Sequence, residues 1–519
     1  MRSAPAKQTA RLAAVLLALS VLIGIAARAE APAYAANGDP AIASGSGVLA
    51  RNAGQDSCQR VFYGDQFWYV IAFDGKNGSG ETLRYTDPAG AEQQLYPESA
   101  VTLLPVGVGW HSAFNSSQSG AYVNAYGWTD SDAAEPQTPS DLRSFIESRY
   151  LTGYEDNGEP VAAALDGREQ AAILPRVLAG VMDGEPYDSN KIRGAAIENA
   201  LLWPLSEAEA GCLPDSIRYV WQGIYWWLRS PGDANSLGTS VLDDCTILRN
   251  FHFVHTVLGV RPAFFLDRNA VLFTSAAKNG KVSGALGADA LKPAGTNTTD
   301  DWKVTIKDAA HADFAVTSVS RPAGSKVVTI GYSGAAEEEN GTISAVIKNA
   351  SGAVRYYGRV AAANASSGTA KINLANRMKN GDRLYVFNEQ YNGDDRTDYA
   401  SPLARVAITR SANPLRVKGR SFAVRYRRLK KKAQKRKRAR VIRFVKTGKG
   451  TKTYRLVSAK KGKKSFRKRF RINKKTGLLT IRKGLRKGLY RVTVKVRAAG
   501  GIFYKRSAWK KAVIRIRVK

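Results

Sequence analysis

The sequence is poor in the side chains that most often hold metals or form disulfides. Among 519 residues there are three cysteines, four histidines and three methionines. The cysteines are Cys58, Cys212 and Cys245, and no pair has the Cys-x-x-Cys spacing of a zinc or redox site. These counts exclude a disulfide-dense scaffold and a cysteine zinc module. At most one disulfide can form, and we predict that none of the cysteines is catalytic.

Sequence signatures of common catalytic sites are also missing. There is no Gly-x-Ser-x-Gly, no His-Glu-x-x-His and no phosphate-binding loop. His252 and His255 are three residues apart, so on a strand they would face opposite sides, and we predict no metal there. We therefore predict that the protein is not an enzyme and needs no cofactor.

One loop concentrates oxygen-bearing side chains. It contains Asn392, Asp394, Asp395 and Asp398. Such oxygens are the ligands that calcium prefers. Because the run lacks the ligand order of a known calcium loop, we predict a solvated turn without a metal.

Acidic residues are absent from the last fifth of the chain. From Asn413 to Lys519 there are 43 Lys and Arg and no Asp or Glu, whereas the first 412 residues hold 36 basic and 43 acidic residues. A mildly acidic protein is thus joined to a strongly basic one. The net charge of +36 therefore does not identify the whole chain as a DNA-binding protein.

Long apolar runs are missing too, apart from one near the N-terminus. Residues 12–25 carry no charge and follow a basic start, and Ala33-Tyr34-Ala35 offers small residues for cleavage. This pattern predicts a signal peptide over residues 1–35, followed by a flexible leader over residues 36–57. We expect a secreted, extracellular protein associated with the cell wall or cell surface.

Two motifs are the most distinctive part of the sequence. Tyr225–Gly232 reads Tyr-Trp-Trp-Leu-Arg-Ser-Pro-Gly, and Gly259–Asp267 reads Gly-Val-Arg-Pro-Ala-Phe-Phe-Leu-Asp. With the hairpin residues Tyr63–Ile71 and the Leu-Ser-Glu-x-Glu element Leu205–Glu209, they resemble a bacterial extracellular domain family of unknown function. The resemblance covers residues 58–268. It implies an α+β head that is remotely similar to the C-type-lectin-like and formylglycine-generating-enzyme folds.

We predict that the paired motifs are structural and that the hairpin between them is the recognition element. Fixed flanking strands leave a hairpin free to vary, and loops carry binding. A ligand-facing guanidinium pair at Arg229 and Arg261 is the alternative. The predicted structural residues are Trp226, Trp227, Arg229, Pro231, Arg261 and Pro262. The predicted contacts to an unknown glycan or protein ligand are Asn235, Asp243, Asp244, Arg249, Asn250, His252 and His255.

After a head over residues 58–270, the chain predicts two further β-sandwiches. Residues 271–300 read as a linker or edge strands, and residues 301–411 have the short strands and Gly, Asn and Asp turns of an immunoglobulin-like sandwich. In residues 412–519 the apolar members of Tyr490–Val496 alternate with polar and cationic ones, which predicts one apolar and one cationic face. This basic module resembles cadherin-like repeats but lacks the carboxylates of cadherin calcium sites.

The charge of the basic module predicts a polyanionic partner. A folded domain with so many cations repels itself and is stabilised by a polyanion, which releases its condensed counterions on binding. We expect an anionic cell-wall polymer or membrane surface to bind residues 413–519. Nucleic acid is not the expected partner of an exported protein. The predicted function is binding or adhesion by an envelope-associated surface protein; an envelope enzyme on a formylglycine-generating-enzyme-like head and an extracellular nucleic-acid binder are the alternatives. The predicted polyanion contacts are Arg425, Arg427, Arg428, Lys430, Lys431, Lys432, Lys435, Arg436, Lys437, Arg438 and Arg440.

Overall fold

The computed structural model describes residues 40–50, 60–86, 91–116, 140–178, 197–234, 236–297 and 301–519. The predicted signal peptide, Cys58 and Asn235 lie outside these residues. Over the described parts the protein is mainly β, with several sheets and short helices, so the predicted α+β head has less helix than expected. No helix in these parts is long and apolar enough to cross a membrane.

The head is built from short strands and helices of seven residues or fewer. Two of its helices begin at a capping box, one at Asp166 with Glu169 and one at Ser206 with Glu209. Its helices are Gly47–Ala50, Asp141–Glu147, Gly167–Ala171, Glu207–Gly211 and Asp215–Arg218, with a π-helical turn at Ser148–Thr152. Its strands are β1 (Ile42–Ser44), β2 (Arg60–Tyr63), β3 (Gln66–Phe73), β4 (Lys76–Asn77), β5 (Arg84–Thr86), β6 (Glu92–Gln94), β7 (Ala100–Pro105), β8 (Trp110–Ser112), β9 (Tyr154–Asp156), β10 (Glu159–Val161), β11 (Ile173–Leu174), β12 (Arg176–Leu178), β13 (Ile197–Ala200), β14 (Trp203–Pro204), β15 (Trp226–Pro231), β16 (Leu237–Val241), β17 (Ile247–Phe253), β18 (Leu258–Val260), β19 (Pro262–Asp267) and β20 (Val271–Ala276).

The middle region forms a two-layered sandwich. The sheet β23-β24-β27 faces a layer that contains β25, β26 and β28, and side chains such as Ile330, Ile343 and Val386 fill the core between them. A 3-10 turn lies at Ala309–His311. The strands are β21 (Lys292–Pro293), β22 (Asp301–Lys307), β23 (Ala315–Ser320), β24 (Val327–Ser333), β25 (Gly341–Lys348), β26 (Val354–Ala362), β27 (Gly368–Asn373), β28 (Arg383–Gln390), β29 (Asp398–Ala400) and β30 (Ala404–Val406).

One sheet continues from the head into this sandwich. Within the described residues it has 16 strands, with the central order β11-β19-β7-β3-β2-β22-β29-β28-β25-β26-β21. β22 lies between β2 and β29 and is parallel to both, and its Trp302, Val304 and Ile306 join the core of the head. The boundaries predicted at residues 270 and 300 therefore fall inside one hydrogen-bonded sheet.

Residues 40–50 correct the prediction of a flexible leader. β1 pairs antiparallel with β20, with Ile42 opposite Ser275. Ile42, Val48 and Leu49 are buried. Their burial, together with the strand pairing, offsets the conformational entropy lost when the segment is ordered.

The basic module folds around its own core. Tyr490, Val492, Val494 and Val496 are fully buried, which confirms the predicted apolar face. Its sheets are β32-β40-β39-β35-β36, β33-β38-β37 and β31-β34. The helices are Tyr426–Lys431 and Arg438–Val441, with a 3-10 turn at Arg467–Arg469, and the strands are β31 (Arg416–Gly419), β32 (Ser421–Val424), β33 (Gln434–Arg436), β34 (Ile442–Lys446), β35 (Lys452–Lys461), β36 (Lys464–Ser465), β37 (Phe470–Ile472), β38 (Leu479–Ile481), β39 (Gly488–Ala498) and β40 (Lys510–Val518).

The guanidinium of Arg321 holds the joint between the sandwich and the basic module. Its Nε donates to the carbonyl of Thr409 (2.9 Å), and one Nη donates to the carbonyl of Ser325 (2.5 Å). The other Nη donates to Ser411 Oγ (2.7 Å) and to the carbonyl of Phe503 (2.8 Å). One buried side chain thus connects both sides of the joint through neutral acceptors.

Candidate functional site

Glu209 organises the first of the two sequence motifs. Its carboxylate is fully buried and pairs with Arg229 and, at 2.9 Å, with Arg176. Burial alone would raise the pKa of Glu209, but the two guanidinium groups outweigh it and lower that pKa to about 2. Arg229 therefore pairs with Glu209 inside the protein, and the sequence pattern did not identify this role for Glu209.

Arg261 in the second motif is fully buried and binds backbone carbonyls. Its Nε and Nη2 donate to Pro105 (3.1 and 2.7 Å), and its Nη1 donates to Ile217 (3.0 Å). The guanidinium carbon lies 4.8 Å from the ring centre of Trp226, a cation–π contact. Burial lowers the pKa of Arg261 to about 10. Arg229 and Arg261 therefore both bind groups inside the protein, an arrangement that disfavours the alternative of a ligand-facing pair.

The remaining signature residues belong to the strands that carry the motifs. Trp226 and Trp227 are fully buried in β15, where Trp226 lies opposite Val241 and Trp227 opposite Ser240. Pro231 ends β15, and Pro262 begins β19. The two motifs are therefore framework strands of the head.

His252 in the predicted recognition hairpin is a packing residue. Its ring is buried, Nδ1 lies 2.8 Å from Ser240 Oγ, and the ring packs against Tyr225 and Trp227. Burial also lowers the pKa of His252. The prediction that His252 contacts a ligand is corrected, because strand alternation turns this side chain inward.

The other predicted hairpin contacts that lie among the described residues either stabilise the hairpin or are exposed. Arg249 forms an ion pair with Glu207, which fixes the hairpin to a neighbouring helix. Asp243 accepts the N–H of Gly223 (2.8 Å) and Asp244 accepts that of Thr246 (2.9 Å), so both shape turns. The side chains of Asn250 and His255 are exposed.

Exposed apolar side chains lie on the same hairpin. Phe251, Phe253 and Val257 are 56%, 51% and 62% exposed, and the ring of His255 stacks on Phe253 at 5.4 Å between centroids. β17 is the edge strand of the sheet β17-β16-β15-β18-β8. The sequence did not single out these residues. On β17, Phe251 and Phe253 face the side of the sheet opposite to that of the buried His252.

The two described cysteines are free thiols. Cys245 is buried and Cys212 is partly buried. Burial raises the pKa of both thiols, which disfavours the reactive thiolate.

The outer face of the five-stranded sheet in the basic module carries rows of like charge. Cross-strand neighbours on β35, β39 and β40 form a first cation row (Arg455, Lys495, Lys511) and a second cation row (Lys460, Arg491, Arg515). All six side chains are exposed. The module contains no Asp or Glu that could neutralise them. Like charges directly opposite each other on a sheet are destabilising.

A groove lies beside the first cation row. Its volume is about 1110 Å³, and its walls include β35, β37 and the turn before β37. The guanidinium carbon of Arg497 lies 4.5 Å from the ring centre of Trp509. The cationic residues in its lining are Arg455, Arg467, Lys468, Arg469, Arg471, Lys474 and Arg497.

The predicted run from Arg425 to Arg440 forms a different surface. It covers the helix Tyr426–Lys431, β33 and most of the helix Arg438–Val441. Leu429 is buried, and the cations around it are exposed or half-buried. The sequence identified this run by its density of charge. It could not identify the cation rows, because their members come from three separate strands.

The predicted solvated turn is corrected at Asp398. This side chain is fully buried, and its Oδ2 lies 2.7 Å from the Nζ atoms of both Lys281 and Lys303. Its Oδ1 accepts the N–H of Asn392 (2.9 Å). Asp398 is therefore an internal ion-pair residue, since strand β29 carries it into the centre of the large sheet.

A second group of metal-type ligands lies near the seam between head and sandwich. Ligand atoms of Asp308, His311 and Glu338 lie within 4.8 Å of one another. The guanidinium of Arg168 pairs with Glu338 at 2.5 Å and lies 3.7 Å from Asp308. A cation is already present as Arg168, so this group is an ion-pair network of the seam.

Similarity to known proteins is limited to solved structures. No family model and no curated protein matches the chain. The structure of mouse clustered PcdhgC3 EC1-3 is 13% identical in sequence, with a TM-score of 0.19. The match covers 50% of this chain and 83% of the mouse chain. Drosophila N-cadherin EC1-4 is 15% identical with a TM-score of 0.16, and the match covers 42% of this chain and 54% of the Drosophila chain. Human Protocadherin-24 EC1-2 is 11% identical with a TM-score of 0.17, and the match covers 34% of this chain and 83% of the human chain.

These matches amount to a distant structural similarity to cadherin repeats over part of the chain. Scores this low carry no functional argument. The resemblance of residues 58–268 to a bacterial extracellular family stays a prediction.

Proposed function

We propose that the protein is an extracellular, envelope-associated binding or adhesion protein whose basic module holds an anionic polymer. The observation that carries this proposal is the pair of cation rows on β35, β39 and β40. Six cations lie on neighbouring strands, and the module has no Asp or Glu to balance them. The secretory pattern predicted for residues 1–35 supports a polymer outside the cell.

The cation rows destabilise the module when it is free and favour its complex with a polyanion. Cross-strand pairs contribute up to about 1 kcal/mol each, and like-charged pairs act against folding. A bound polyanion reverses the sign of that contribution and releases its condensed counterions. Solubility alone does not require cations to be aligned across three strands.

The groove indicates the chemistry of the polymer. Guanidinium groups bind phosphate or carboxylate in a bidentate manner, and an indole face stacks on sugar rings. Arg497 on Trp509 places both features at one point of the groove, and Arg455 belongs to both the groove and the first cation row. We propose a phosphate- or carboxylate-bearing polymer with a sugar or polyol backbone.

Two triple variants of the full chain test this proposal. One is Arg455→Gln, Lys495→Gln and Lys511→Gln in the first cation row; the matched control, Lys430→Gln, Lys431→Gln and Lys432→Gln, removes the same charge from the predicted run. Binding of purified poly(glycerol phosphate) is measured over a range of salt concentrations. We expect affinity to fall with salt and the row variant to lose about three units of salt slope, about one per cation.

The row variant should weaken binding more than the run variant, because strands hold their cations in register. Equal losses would show that total charge alone governs binding. Salt-independent binding, or a preference for double-stranded DNA at equal charge density, would contradict the proposal.

The exposed edge of the head is a second proposed contact surface. Phe251 and Phe253 give β17 an apolar outer face at an unpaired sheet edge among the described strands, and Val257 lies exposed in the loop that follows β17. We propose that this edge contacts the ligand of the head. Phe251→Ser with Phe253→Ser should abolish binding in a glycan and protein array, whereas Val177→Ser, at an exposed apolar residue elsewhere in the head, should not.

A further inference from the structure

Four charged side chains meet in the interior where the head joins the sandwich. Lys281, Glu389 and Asp398 have fully buried side chains, and that of Lys303 is 2% exposed. The Nζ of Lys281 lies 2.7 Å from Asp398 Oδ2 and 3.3 Å from Glu389 Oε1. An amine and a carboxyl group are thus in contact, with a second carboxyl group beside the amine.

Two aromatic rings and a few polar groups surround these charges, and their hydrogen bonding is only partly satisfied. Lys281 Nζ also donates to Thr305 Oγ1 (2.6 Å). Lys281 Nζ lies 5.9 Å from the ring centres of both Phe273 and Tyr357. Tyr357 donates its hydroxyl to Glu389 Oε1 (2.7 Å). Glu389 Oε2 is buried and has no hydrogen-bond partner among the described residues. An interior of this kind excludes the water that would otherwise hydrolyse or prevent an amide.

We infer that Lys281 and Asp398 form an intramolecular amide bond between Lys281 Nζ and Asp398 Cγ. The geometry holds the reacting groups in hydrogen-bond contact, which converts a bimolecular condensation into an intramolecular one. Nothing but these two side chains is consumed, and one molecule of water is released.

Proton transfers balance the reaction. Lys281 ammonium gives one proton to the carboxylate of Glu389, and the neutral amine attacks Asp398 Cγ to form the C–N bond. The negative charge that develops on Asp398 Oδ1 is stabilised by the N–H of Asn392 at 2.9 Å. Lys303 ammonium, 2.7 Å from Oδ2, protonates that oxygen.

The intermediate collapses by breaking the bond from Cγ to Oδ2. Nζ loses a second proton, and Oδ2 gains a second proton and leaves as water. Glu389 contacts Nζ and Lys303 contacts Oδ2, so the departing water relays the proton held by Glu389 to Lys303 and restores its ammonium. Two protons have then moved from Nζ to Oδ2, and Glu389 and Lys303 return to their starting states. Both act as catalytic residues, since each contacts a reacting atom.

Lys281 is the attacking lysine because only its Nζ contacts Glu389. Burial lowers the pKa of Lys303, against a partial offset from Asp398, which makes its ammonium the better proton donor. Burial acts on Lys281 in the same direction, but Asp398 and Glu389 outweigh it and raise its pKa, so this amine needs Glu389 as a base.

Mass spectrometry of the denatured full-length chain tests the inference. We expect the wild-type protein to be lighter than its sequence by one water, and a tryptic digest to contain one branched peptide that joins the segments around residues 281 and 398. Trypsin does not cleave after a lysine whose amine is acylated. Lys281→Met and Glu389→Gln should restore the full mass and the separate peptides.

Two results would overturn the inference. One is a wild-type chain with the unmodified mass and separate peptides, a result that needs no variant to fold. The other is a branched peptide through Lys303, for which Lys303→Met is the matched variant. Lys303→Met should form the Lys281 bond more slowly in a time course after synthesis, since only the proton donor is lost.

Discussion

The body of the protein and its basic module use cations in opposite ways. In the body, buried basic groups meet carboxylates or carbonyls: Glu209 holds Arg176 and Arg229, and Asp398 holds Lys281 and Lys303. In the module, 43 basic residues have no Asp or Glu. The body's buried cations are therefore part of its internal structure, whereas those of the module are directed outward.

This difference shows that local pairing decides what a charge contributes. A buried pair can be expensive to assemble and still more expensive to break. An exposed row of like charges costs little per residue but extends over a whole face. Stability of the body should respond to acid, and behaviour of the module should respond to salt.

The largest expected effect is the loss of the buried acid in the body. Glu209→Gln leaves Arg176 and Arg229 buried without a countercharge and should destabilise the protein by about 3–5 kcal/mol. The measurement is urea unfolding of the full chain. Glu207→Gln, which breaks the more exposed pair with Arg249, is the control and should cost at most about 1 kcal/mol.

The same residue predicts a pH dependence. The pKa of Glu209 is about 2 in the folded protein, below the value of about 4.3 for an unfolded chain. Its stabilising contribution is complete above pH ~4.3 and is lost as pH falls toward 2. The difference in unfolding free energy between wild type and Glu209→Gln should shrink over that window. A difference that stays constant would contradict this assignment.

An intermediate effect is expected when a carboxylate is introduced into the first cation row. Lys495→Glu faces Arg455 on one side and Lys511 on the other, so two repulsive pairs become attractive. The module should gain about 0.5–1 kcal/mol, measured by amide hydrogen exchange in β39. Polymer affinity should fall at the same time. A variant that is both less stable and equally able to bind would break the contrast.

The smallest effect is expected for an exposed pair in the body. Arg84 and Glu92 lie 3.2 Å apart, with side chains 50% and 67% exposed. Arg84→Ala should change stability by no more than about 0.5 kcal/mol in the same urea experiment. A larger loss of unfolding free energy would mean that solvent exposure does not distinguish weak ion pairs from strong ones.

The sequence predicted most about the module and least about the contacts between distant segments. Alternation in Tyr490–Val496 is a local pattern, and the structure confirms the buried face it indicates. His252 shows the limit of such reasoning: its residue type suggested a polar contact, but its strand position turned it inward. Alternation in β17 could have indicated this.

Asp398 was misjudged for another reason. Its neighbours Asp394 and Asp395 are polar, and the local run gives no sign of burial. Its partner Lys281 is 117 residues away and lies in a turn outside any strand. No periodicity connects two such positions, so only the assembled sheet brings them together. The pairing of β22 with β2 and β29, across the predicted domain boundaries, was hidden from the sequence in the same way.

The joint at Arg321 has a consequence for how the protein would leave an anionic surface. Its acceptors are carbonyl and hydroxyl oxygens, so concentrated electrolyte has no countercharge to displace there. The polymer binding that we propose for the module would be weakened by the same electrolyte. Washing with concentrated salt should therefore release the head, sandwich and module as one intact molecule.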